Sequence, residues 1–454
     1  MQATVVDERK VLERFRARTR KSAELHRRAL QVSPGGVMAG IKFFEPYPIF
    51  MKRAAGSHVW DVDGNRYVDY LMSYGALILG HGHGAVTKSV ASVLSSVGTT
   101  VMGTPTELES EYGGMLRDIY HRDGLIRFTN SGLEATLLAA RLAKGFTGRR
   151  KVAKFEGHYH GAIDHFLFSY APEVGRAGSP ESPTPIGDSV DVDDSMLSDS
   201  ITLPFNNWRG TERLLRERSK EIACVIMEPF EEGVIAAEPA FMQNLRRLTE
   251  DLGIPLVFDE VKTGFRVRLG GAAEFYSVAP DLTCLGKIIG GGLPIGAVVG
   301  GSELMKQLDP RRENARKVFH SGTFNGNPLS LAAGKATVEE LSRRRRFDGL
   351  VRRTEALKGA LSRELDGHSI AHTIEGEGAM FNIYLTDRKV RNYRDARSSD
   401  LGLRKLIDLE VMSRGIYLKP ENRFCLSLAH SEGDVRRTGA IFGDALDSLA
   451  KPSR

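Results

Sequence analysis

Cysteine is scarce in this chain, with only 3 residues among 454. Cys224, Cys284 and Cys425 lie in apolar stretches and lack the spacing of metal ligands, which argues against a disulfide-stapled secreted domain and against a zinc site. The sequence also lacks an apolar run of about 18 residues, and its charged N-terminus does not resemble a signal peptide. We therefore expect a cytoplasmic protein that does not associate with a membrane.

Charge of one sign is not in large excess either. The 63 Lys and Arg residues against 57 Asp and Glu residues give a net charge of +6. The basic run at residues 343–346 contains no aromatic residue and matches no recognition motif, so we predict no nucleic-acid partner. Hydrophobic and charged fractions of 41% and 26% are typical of a soluble globular protein. The N-terminal residues 7–30 have the spacing of an amphipathic helix, and residues 56–70 predict a hairpin.

Two short apolar stretches rich in β-branched residues each end at a polar side chain. The first ends at Asp259 and the second at Lys287. Ligands of parallel sheets bind beyond the carboxyl ends of the strands, so this acid and this amine can converge on one small molecule. A lysine among apolar residues can form a Schiff base with an aldehyde, and a carboxylate suits a pyridinium nitrogen. Pyridoxal phosphate (PLP) requires this pair.

Other interpretations of the same pattern remain open at this point. A strand that ends in Asp-Glu is also found at Mg²⁺ and NTPase sites, and a single lysine at a strand end is usually a surface charge. His81 and His83 suggest a metal site, but flanking glycines indicate that they shape a loop, and no third ligand is near. We therefore predict no metal.

A strand–turn–helix pattern covers residues 124–148. Its glycine-bearing turn leaves the backbone groups of Ser131, Gly132 and Leu133 free to hold a phosphate at the start of a helix. The alternative is an ordinary helix cap made by Asn130 or Ser131. Further along, Tyr159 follows a strand and lies between glycines, where its ring can lie flat on a planar cofactor.

Six motifs in this order resemble those of the class III PLP-dependent aminotransferases, with the glutamate-1-semialdehyde 2,1-aminomutase-like branch as the nearest. They are Asn-Ser-Gly-Leu-Glu-Ala at 130–135, Tyr-His-Gly at 159–161, Glu-Pro at 228–229, Asp-Glu-Val-Lys-Thr-Gly-Phe-Arg at 259–266, Gly-Lys-Ile-Ile-Gly-Gly-Gly-Leu-Pro at 286–294 and Ser-Gly-Thr-Phe-Asn-Gly-Asn-Pro at 321–328. The resemblance extends from residue 33 to about residue 430.

The resemblance implies an α/β protein of fold type I. We expect an N-terminal helix and hairpin segment at residues 1–75, and a large PLP-binding domain with a mostly parallel seven-stranded sheet at residues 76–335. A small α+β C-terminal domain would follow at residues 336–454. Residues 171–200, which are rich in Pro, Ser, Gly and Asp, predict a long surface loop.

The resemblance also implies roles for single residues. Lys287 would bind the cofactor aldehyde as a Schiff base and carry a proton during the reaction. Asp259 would pair with the pyridine nitrogen, with Val261 under the ring and Tyr159 stacked on its other face. Lys287, Asp259 and Tyr159 are thus the predicted catalytic residues.

The remaining predicted contacts surround the phosphate and the edge of the ring. Backbone groups of residues 131–133 would hold the phosphate, and Asn206 and Glu228 would lie near the ring. Thr323 would reach the phosphate of a neighbouring subunit, so the resemblance implies a homodimer with shared active sites.

Departures from the aminomutase branch fall at substrate positions. Lys42 occupies the place of an arginine that grips the substrate carboxylate, and Tyr74 replaces a tryptophan. The gating loop after the Tyr-His-Gly motif is absent, and Glu231 and Glu232 follow the Glu-Pro motif in place of Ala-Gly. The two acids either favour a substrate with a second amine or are solvated loop charges, and Arg423 either binds a carboxylate or forms a surface salt bridge.

These observations predict an aminotransferase that moves an amino group from an amino donor to a keto acid or aldehyde by a ping-pong mechanism. The alternative is glutamate-1-semialdehyde 2,1-aminomutase, which transfers the group within one molecule. A binding protein without turnover is a third possibility, but it has no need for both Asp259 and Lys287.

Overall fold

The computed structural model describes residues 7–312, 317–343 and 345–450. Parts of the predictions therefore lie outside the described residues. These parts are Arg344 of the basic run, residues 1–6 of the N-terminal segment, residues 313–316 of the large domain and residues 451–454 of the C-terminal domain. Arg343 and Arg346, on either side of Arg344, both form ion pairs with Glu340. No helix in the described part is long and apolar enough to cross a bilayer. The predicted cytoplasmic location stays a prediction.

The N-terminal segment contains two helices and a small sheet. Its elements are α1 (Glu8–Arg18), α2 (Arg20–Ala29), β1 (Met51–Ala55), β2 (His58–Asp61), β3 (Arg66–Asp69) and the short turn α3 (Met72–Gly75). The single helix predicted over residues 7–30 was wrong, because the chain leaves helical geometry at Thr19. The Thr19 hydroxyl donates a hydrogen bond to the Phe15 carbonyl at 2.7 Å, a local bond that competes with helix continuation. The predicted hairpin is confirmed as the antiparallel pair β2–β3.

The central part of the chain alternates strands and helices. Its elements are α4 (Gly84–Ser96), α5 (Glu107–Tyr120), β4 (Leu125–Thr129), α6 (Gly132–Thr147), β5 (Lys151–Phe155), β6 (Gly178–Ser179), β7 (Ser182–Pro183), α7 (Asp194–Leu197), β8 (Ser200–Leu203), α8 (Trp208–Arg218), β9 (Ile222–Met227), β10 (Phe230–Glu231), β11 (Ile235–Ala236), α9 (Pro239–Asp251), β12 (Leu256–Asp259), α10 (Gly271–Tyr276), β13 (Leu282–Gly286), β14 (Gly296–Gly300), α11 (Ser302–Met305) and α12 (Pro328–Ser342).

Seven of these strands form one sheet in the order β4-β14-β13-β12-β9-β5-β8. Strand β14 runs antiparallel to both of its neighbours, and the other pairings are parallel. Strands β9, β12 and β13 are buried along their whole length, as expected for strands covered by helices on both faces. The predicted α/β class and the mostly parallel seven-stranded sheet are therefore confirmed.

The C-terminal part packs helices against a three-stranded sheet of β15, β16 and β18. Its elements are α13 (Arg346–Gly367), β15 (Thr373–Glu375), β16 (Met380–Tyr384), α14 (Tyr393–Arg397), α15 (Leu401–Met412), β17 (Ile416–Tyr417), β18 (Phe424–Cys425) and α16 (Glu432–Ala450). Strand β17 does not join this sheet. It pairs in parallel with β3, where Ile416 lies opposite Val68, and so ties the C-terminal part to the N-terminal segment. The proposed domain boundaries stay a prediction.

Candidate active site

The carboxyl ends of five neighbouring parallel strands bring most of the predicted site residues to one edge of the sheet. In spatial order the strands are β13, β12, β9, β5 and β8. Lys287 follows β13, Asp259 ends β12 and Glu228 follows β9, while Tyr159 and Asn206 lie in the loops after β5 and β8. We name this the carboxyl edge. A ligand bound beyond it can touch side chains from several strands at once.

Lys287 begins a 3₁₀ turn directly after β13, and its backbone has a positive φ of 47°. A non-glycine residue in this left-handed region is strained, and such residues concentrate at functional sites. Burial lowers the pKa of Lys287 to about 7, and the positive charges of Lys262 and Arg423 act in the same direction. Near pH 7, Lys287 is therefore a neutral amine in a large fraction of the protein molecules, and this is the form that attacks an aldehyde.

Asp259 is buried, with 4% of its surface exposed, and both carboxylate oxygens have partners. Oδ1 accepts from the Val261 amide at 3.0 Å, and Oδ2 lies 2.8 Å from Nδ1 of His160. The ring nitrogen donates there because an ionised carboxylate only accepts. The opposite nitrogen of His160, Nε2, is buried and has no hydrogen-bond partner in the described structure. His160 is not among the site residues predicted from the sequence, although it is the middle residue of the Tyr-His-Gly motif.

The turn before α6 has the geometry of an anion site. The Ser131 hydroxyl caps the helix by accepting from the Glu134 amide at 3.2 Å. The amides of Gly132 and Leu133 have no acceptor within the described part of the chain. A side chain at Gly132 is excluded, because a Cβ there would lie 2.7 Å from a methyl group of Val261. The capping and phosphate interpretations are thus compatible: the side chain caps the helix, and the free amides remain for a phosphate.

Glu228 connects the loop after β5 to β12. Its Oε2 accepts from the Tyr159 amide at 3.0 Å, and its Oε1 pairs with the Lys262 ammonium at 2.7 Å. Its own amide donates to Nδ1 of His158 at 3.0 Å. Burial holds the pKa of His158 well below its usual range, so this imidazole is neutral and accepts the bond. Glu228 is therefore held from three sides.

The Tyr159 ring is partly exposed at the carboxyl edge and contacts the Tyr170 ring, with 5.0 Å between the centroids. The Lys262 ammonium lies 5.7 Å from the Tyr159 ring centre. Lys262, like His160, is not among the site residues predicted from the sequence. An aromatic face that remains accessible beside a buried acid and amine can support a planar ring.

Asn206 and Thr323 are not placed as simply. The Asn206 side-chain amide donates to the carbonyls of Ala236 and Arg391, at 3.0 and 2.7 Å, and its oxygen accepts from the Glu238 amide. These bonds hold Asn206 against the β10–β11 hairpin and the residues around it. None of them supports a contact between Asn206 and the cofactor, which stays a prediction. Thr323 is exposed in the segment before α12. Its reach to a second subunit also stays a prediction.

The predicted substrate residues are distributed over loops. Lys42 is exposed and shares a pocket of about 1040 Å³ with Tyr74, whose hydroxyl donates to the Ile41 carbonyl at 2.7 Å. Arg423 does not line this pocket. It is buried, with 7% of its surface exposed, so the salt bridge predicted for it exists but Arg423 is not at the surface: its Nη1 lies 3.6 Å from Glu232. Tyr74 has a positive φ of 57°, within four successive left-handed residues.

The prediction that both acids after the Glu-Pro motif are solvated loop charges was wrong for Glu231, whereas the Glu232 side chain is 36% exposed. Glu231 is 1% exposed, and neither of its carboxyl oxygens has a partner among the described residues. Burial, followed by the charges of Glu232 and Glu228, raises the pKa of Glu231 well above its usual range. Glu232 lies 3.6 Å from Nη1 of Arg423, whose Nε is buried without an acceptor.

The two histidines considered as metal ligands have structural partners. His81 Nε2 lies 2.7 Å from Asp69, and His83 Nδ1 accepts from the Ala85 amide at the start of α4. No group of three or more metal-ligating side chains occurs in the described ranges.

The arrangement fits PLP in four respects. An amine with a lowered pKa and a buried carboxyl group lie at the same edge, two free amides begin α6, and an aromatic ring is accessible near them. PLP needs these groups for its aldehyde, its pyridine nitrogen, its phosphate and its ring face, respectively.

Comparisons with known proteins agree with this chemistry. A family model described as "Aminotransferase class-III" matches residues 43–425. A glutamate-1-semialdehyde 2,1-aminomutase from Thermodesulfovibrio yellowstonii is 41% identical over 429 residues, which cover 93% of this chain and 97% of that protein.

Two solved structures are similar over nearly their whole length. An omega-transaminase from Sphaerobacter thermophilus has a TM-score of 0.90 and 34% identity, and covers 94% of this chain and 97% of its own. A transaminase with PLP bound has a TM-score of 0.86 and 28% identity, with coverages of 95% and 98%. The expected fold type I is therefore confirmed.

Proposed function

The chain belongs to the class-III aminotransferases, which use PLP as their cofactor, and we propose that it transfers an amino group at Lys287. The observation that carries this proposal is an amine whose pKa is lowered to about 7, directly after β13, the strand next to the one that ends at Asp259. A bound PLP supplies an electron sink for the carbanion formed next to the amine of the substrate.

The protein's own residues perform the remaining tasks. Asp259, fixed by His160 and by the Val261 amide, keeps a negative charge where the pyridine nitrogen is bound. Because Lys287 titrates near neutral pH, its amine can accept a proton from a substrate carbon and return it to another carbon nearby. The Gly132 and Leu133 amides, which are free at the start of α6, would hold the phosphate of the cofactor.

The finer reaction that we propose is the conversion of glutamate-1-semialdehyde to aminolevulinate within one substrate molecule. The main support is similarity, because the aminomutase of T. yellowstonii aligns with this chain over 97% of its own length. This proposal departs from the sequence-based preference for a generic transaminase. Arg423 is the residue that would bind the substrate carboxylate, since its guanidinium is buried and its one ion pair among the described residues is a 3.6 Å contact with Glu232.

Transamination between two substrates is the second candidate. It is favoured by Lys42, which is exposed where the aminomutase branch has a carboxylate-binding arginine, and by the solved omega-transaminase. A donor amino acid and a keto or aldehyde acceptor would then bind in turn beside Lys287.

One experiment separates the two candidates. Purified protein loaded with cofactor is given glutamate-1-semialdehyde without any donor or acceptor, and aminolevulinate is measured. We expect the product to form with the unaltered protein and not with Lys287→Ala. If no product forms, while a panel of amino donors converts the bound cofactor to its pyridoxamine form, the aminomutase proposal is wrong and the transaminase proposal is right.

We also propose that the active protein is a homodimer. Helix α4 has no buried residue in the single chain, and the apolar side chains of Leu94 and Val97 are exposed on it and just after it. Phe319 and Phe324, on either side of Thr323 in the chain, are exposed by 70% and 58%. Apolar surface of this extent usually marks an interface.

Mixed dimers test whether Thr323 acts across that interface. Lys287→Ala and Thr323→Ala chains are unfolded together, refolded together and assayed. If Thr323 completes the partner's site, one site of each mixed dimer carries both defects and the other carries none. The mixture then regains activity above the mean of the two variants. An activity equal to that mean would contradict a contact in trans.

A further inference from the structure

Lys262 is a second buried lysine at the carboxyl edge, and nothing in the chemistry described above uses it. Its side chain is 9% exposed, and its ammonium lies 2.7 Å from Glu228 Oε1. A third buried lysine, Lys154, has a different role, because its ammonium donates to the carbonyls of His158 and Phe166 at 2.8 and 3.1 Å. Only Lys262 is paired with a carboxylate that also belongs to the site.

The position of the Lys262 charge is fixed by its partner. Glu228 is 1% exposed, and it is bonded both to the Tyr159 amide and to the His158 ring. The carboxylate therefore cannot move freely, and the ammonium that pairs with it has a defined place beside the Tyr159 ring. The carboxylates of Glu228 and Glu232 outweigh the burial of Lys262 and raise its pKa, so it stays charged at neutral pH.

We propose that Lys262 is a positioning residue for the reaction: its ammonium, in the turn after β12 and anchored on Glu228, is a fixed positive charge beside the turn that carries the reacting amine of Lys287. This inference deepens the proposed function, and it rests on Lys287 being the amine that reacts with an aldehyde. It assigns the two lysines different tasks, one reacting and the other permanently charged.

The charges that face Lys287 come from four elements. Asp259 ends β12 and Lys262 lies in the turn after it, while Lys287 follows β13, the parallel neighbour of β12. Val261, next to Lys262, lies against the residue before Lys287, because a Cβ on Gly286 would be 3.2 Å from a Val261 methyl group. Glu228 follows β9, Glu232 lies in the β10–β11 hairpin, and Arg423 precedes β18. Among these charges, those of Lys262 and Arg423 lower the pKa of Lys287, after the larger effect of burial, while Asp259 and Glu228 raise it. Because Lys262 and Glu228 oppose each other, removing either one should move the titration of Lys287 in opposite directions.

The test measures the titration of the Lys287 amine directly in the full-length protein stripped of cofactor. The protein is labelled briefly with acetic anhydride at a series of pH values, and the extent of acetylation at Lys287 is measured by peptide mass spectrometry. In Lys262→Met we expect the midpoint to rise by about one pH unit, the size that removal of one partly compensated charge predicts. In Glu228→Gln it should fall.

Two further variants serve as controls. Lys262→Arg keeps the positive charge and should leave the midpoint close to that of the unaltered protein, and so should Lys220→Met, which removes an exposed lysine. The double variant Lys262→Met with Glu228→Gln should return towards the original midpoint. If the salt bridge between Lys262 and Glu228 only stabilises the loop, its loss changes the melting temperature but does not shift the Lys287 midpoint in opposite directions in the two single variants.

Two outcomes would overturn the inference. One is an unchanged Lys287 midpoint in a folded Lys262→Met protein, and the other is a shift in the same direction for Lys262→Met and Glu228→Gln. If Lys262→Met does not fold, a midpoint that fails to fall in Glu228→Gln is sufficient to reject the inference. Because the labelling needs neither cofactor nor turnover, its result is independent of whether the proposed amino transfer is found.

Discussion

The cofactor side and the substrate side of the active site differ in how firmly their charged groups are held. On the cofactor side, Asp259 and Glu228 are almost fully buried, and every carboxylate oxygen has a partner within 3.0 Å. Most of these partners belong to strand ends or to the turns that follow them directly. A cofactor that stays bound through every cycle needs this kind of fixed surroundings.

The substrate side is held more loosely. Arg423 has one 3.6 Å contact with Glu232 and a buried Nε without an acceptor, and Lys42 is exposed. Loosely paired charges can exchange their partners for those of a substrate, so the difference separates a permanent ligand from ligands that come and go.

Removal of the reacting amine should have the largest effect. Lys287→Ala leaves no nucleophile for the cofactor aldehyde, so we expect turnover to fall by about 10⁴-fold or more. The same assay on Lys220→Met controls for the loss of a lysine at an exposed place. If Lys287→Ala kept a turnover within tenfold of that of the unaltered protein, Lys287 would not be the amine that reacts with the cofactor.

The next largest effect should come from the acid on the neighbouring strand. Asp259→Asn keeps the shape of the side chain but removes the charge that favours a protonated ring nitrogen, so we expect turnover to fall by about 10²- to 10³-fold. The absorption spectrum of the bound cofactor shows whether the loss reflects chemistry or binding. Asp123→Asn, at an exposed position, is the matched control. A loss below threefold would show that the fixed pairing of Asp259 is only structural.

Substitutions on the substrate side should change binding more than catalysis. Arg423→Ala removes the buried guanidinium that we assign to the substrate carboxylate, so we expect KM to rise by about 10- to 100-fold with a smaller change in kcat. Lys42→Met should raise KM by less than about threefold, because its ammonium is exposed. If Lys42→Met raised KM more than Arg423→Ala did, Lys42 and not Arg423 would bind the substrate carboxylate.

The smallest effect concerns stability, at the boundary between the two sides. Glu231 is protonated in the folded protein, because burial raises its pKa, but it ionises in the unfolded chain above about pH 4.5. Its contribution to stability is therefore fully present below that pH and is lost as the pH rises towards its folded pKa. Glu231→Gln removes this dependence, and at pH 8 we expect it to raise the free energy of unfolding by about 1 to 2 kcal/mol.

Urea unfolding of Glu231→Gln at pH 5 and pH 8 measures that effect. The gain over the unaltered protein should be larger at pH 8. A gain that is equal at both pH values, or a loss at pH 8, would mean that the buried carboxyl is ionised and satisfied.

The cofactor side was largely predictable from the sequence because its signals are local. A short apolar run that ends in Asp259 or Lys287 predicts a buried strand with a polar group at its end, and a glycine-bearing turn before an alanine-rich helix predicts the start of α6. His160 and Lys262 were missed for a physical reason. Their importance comes from partners about 100 and 30 positions away in the chain, Asp259 and Glu228, and a local pattern cannot reveal such pairs.

The substrate side and the domain connections depend even more on distant contacts. Two adjacent glutamates read as solvated loop charges, yet the fold buries Glu231 under Gly157 and Tyr393. The pairing of β17 with β3 joins residues almost 350 positions apart, at Ile416 and Val68. Strand β17 has only two residues, which is too short for a strand pattern in the sequence. Neither feature has a signature within a window of neighbouring residues.

The central claim is that Lys287, and neither Lys262 nor Lys154, holds the cofactor. Treatment of the loaded protein with borohydride fixes the cofactor covalently to the amine that holds it, and peptide mass spectrometry then locates the modified residue. We predict modification of Lys287 alone. Modification of Lys262 or Lys154 in its place would contradict the account.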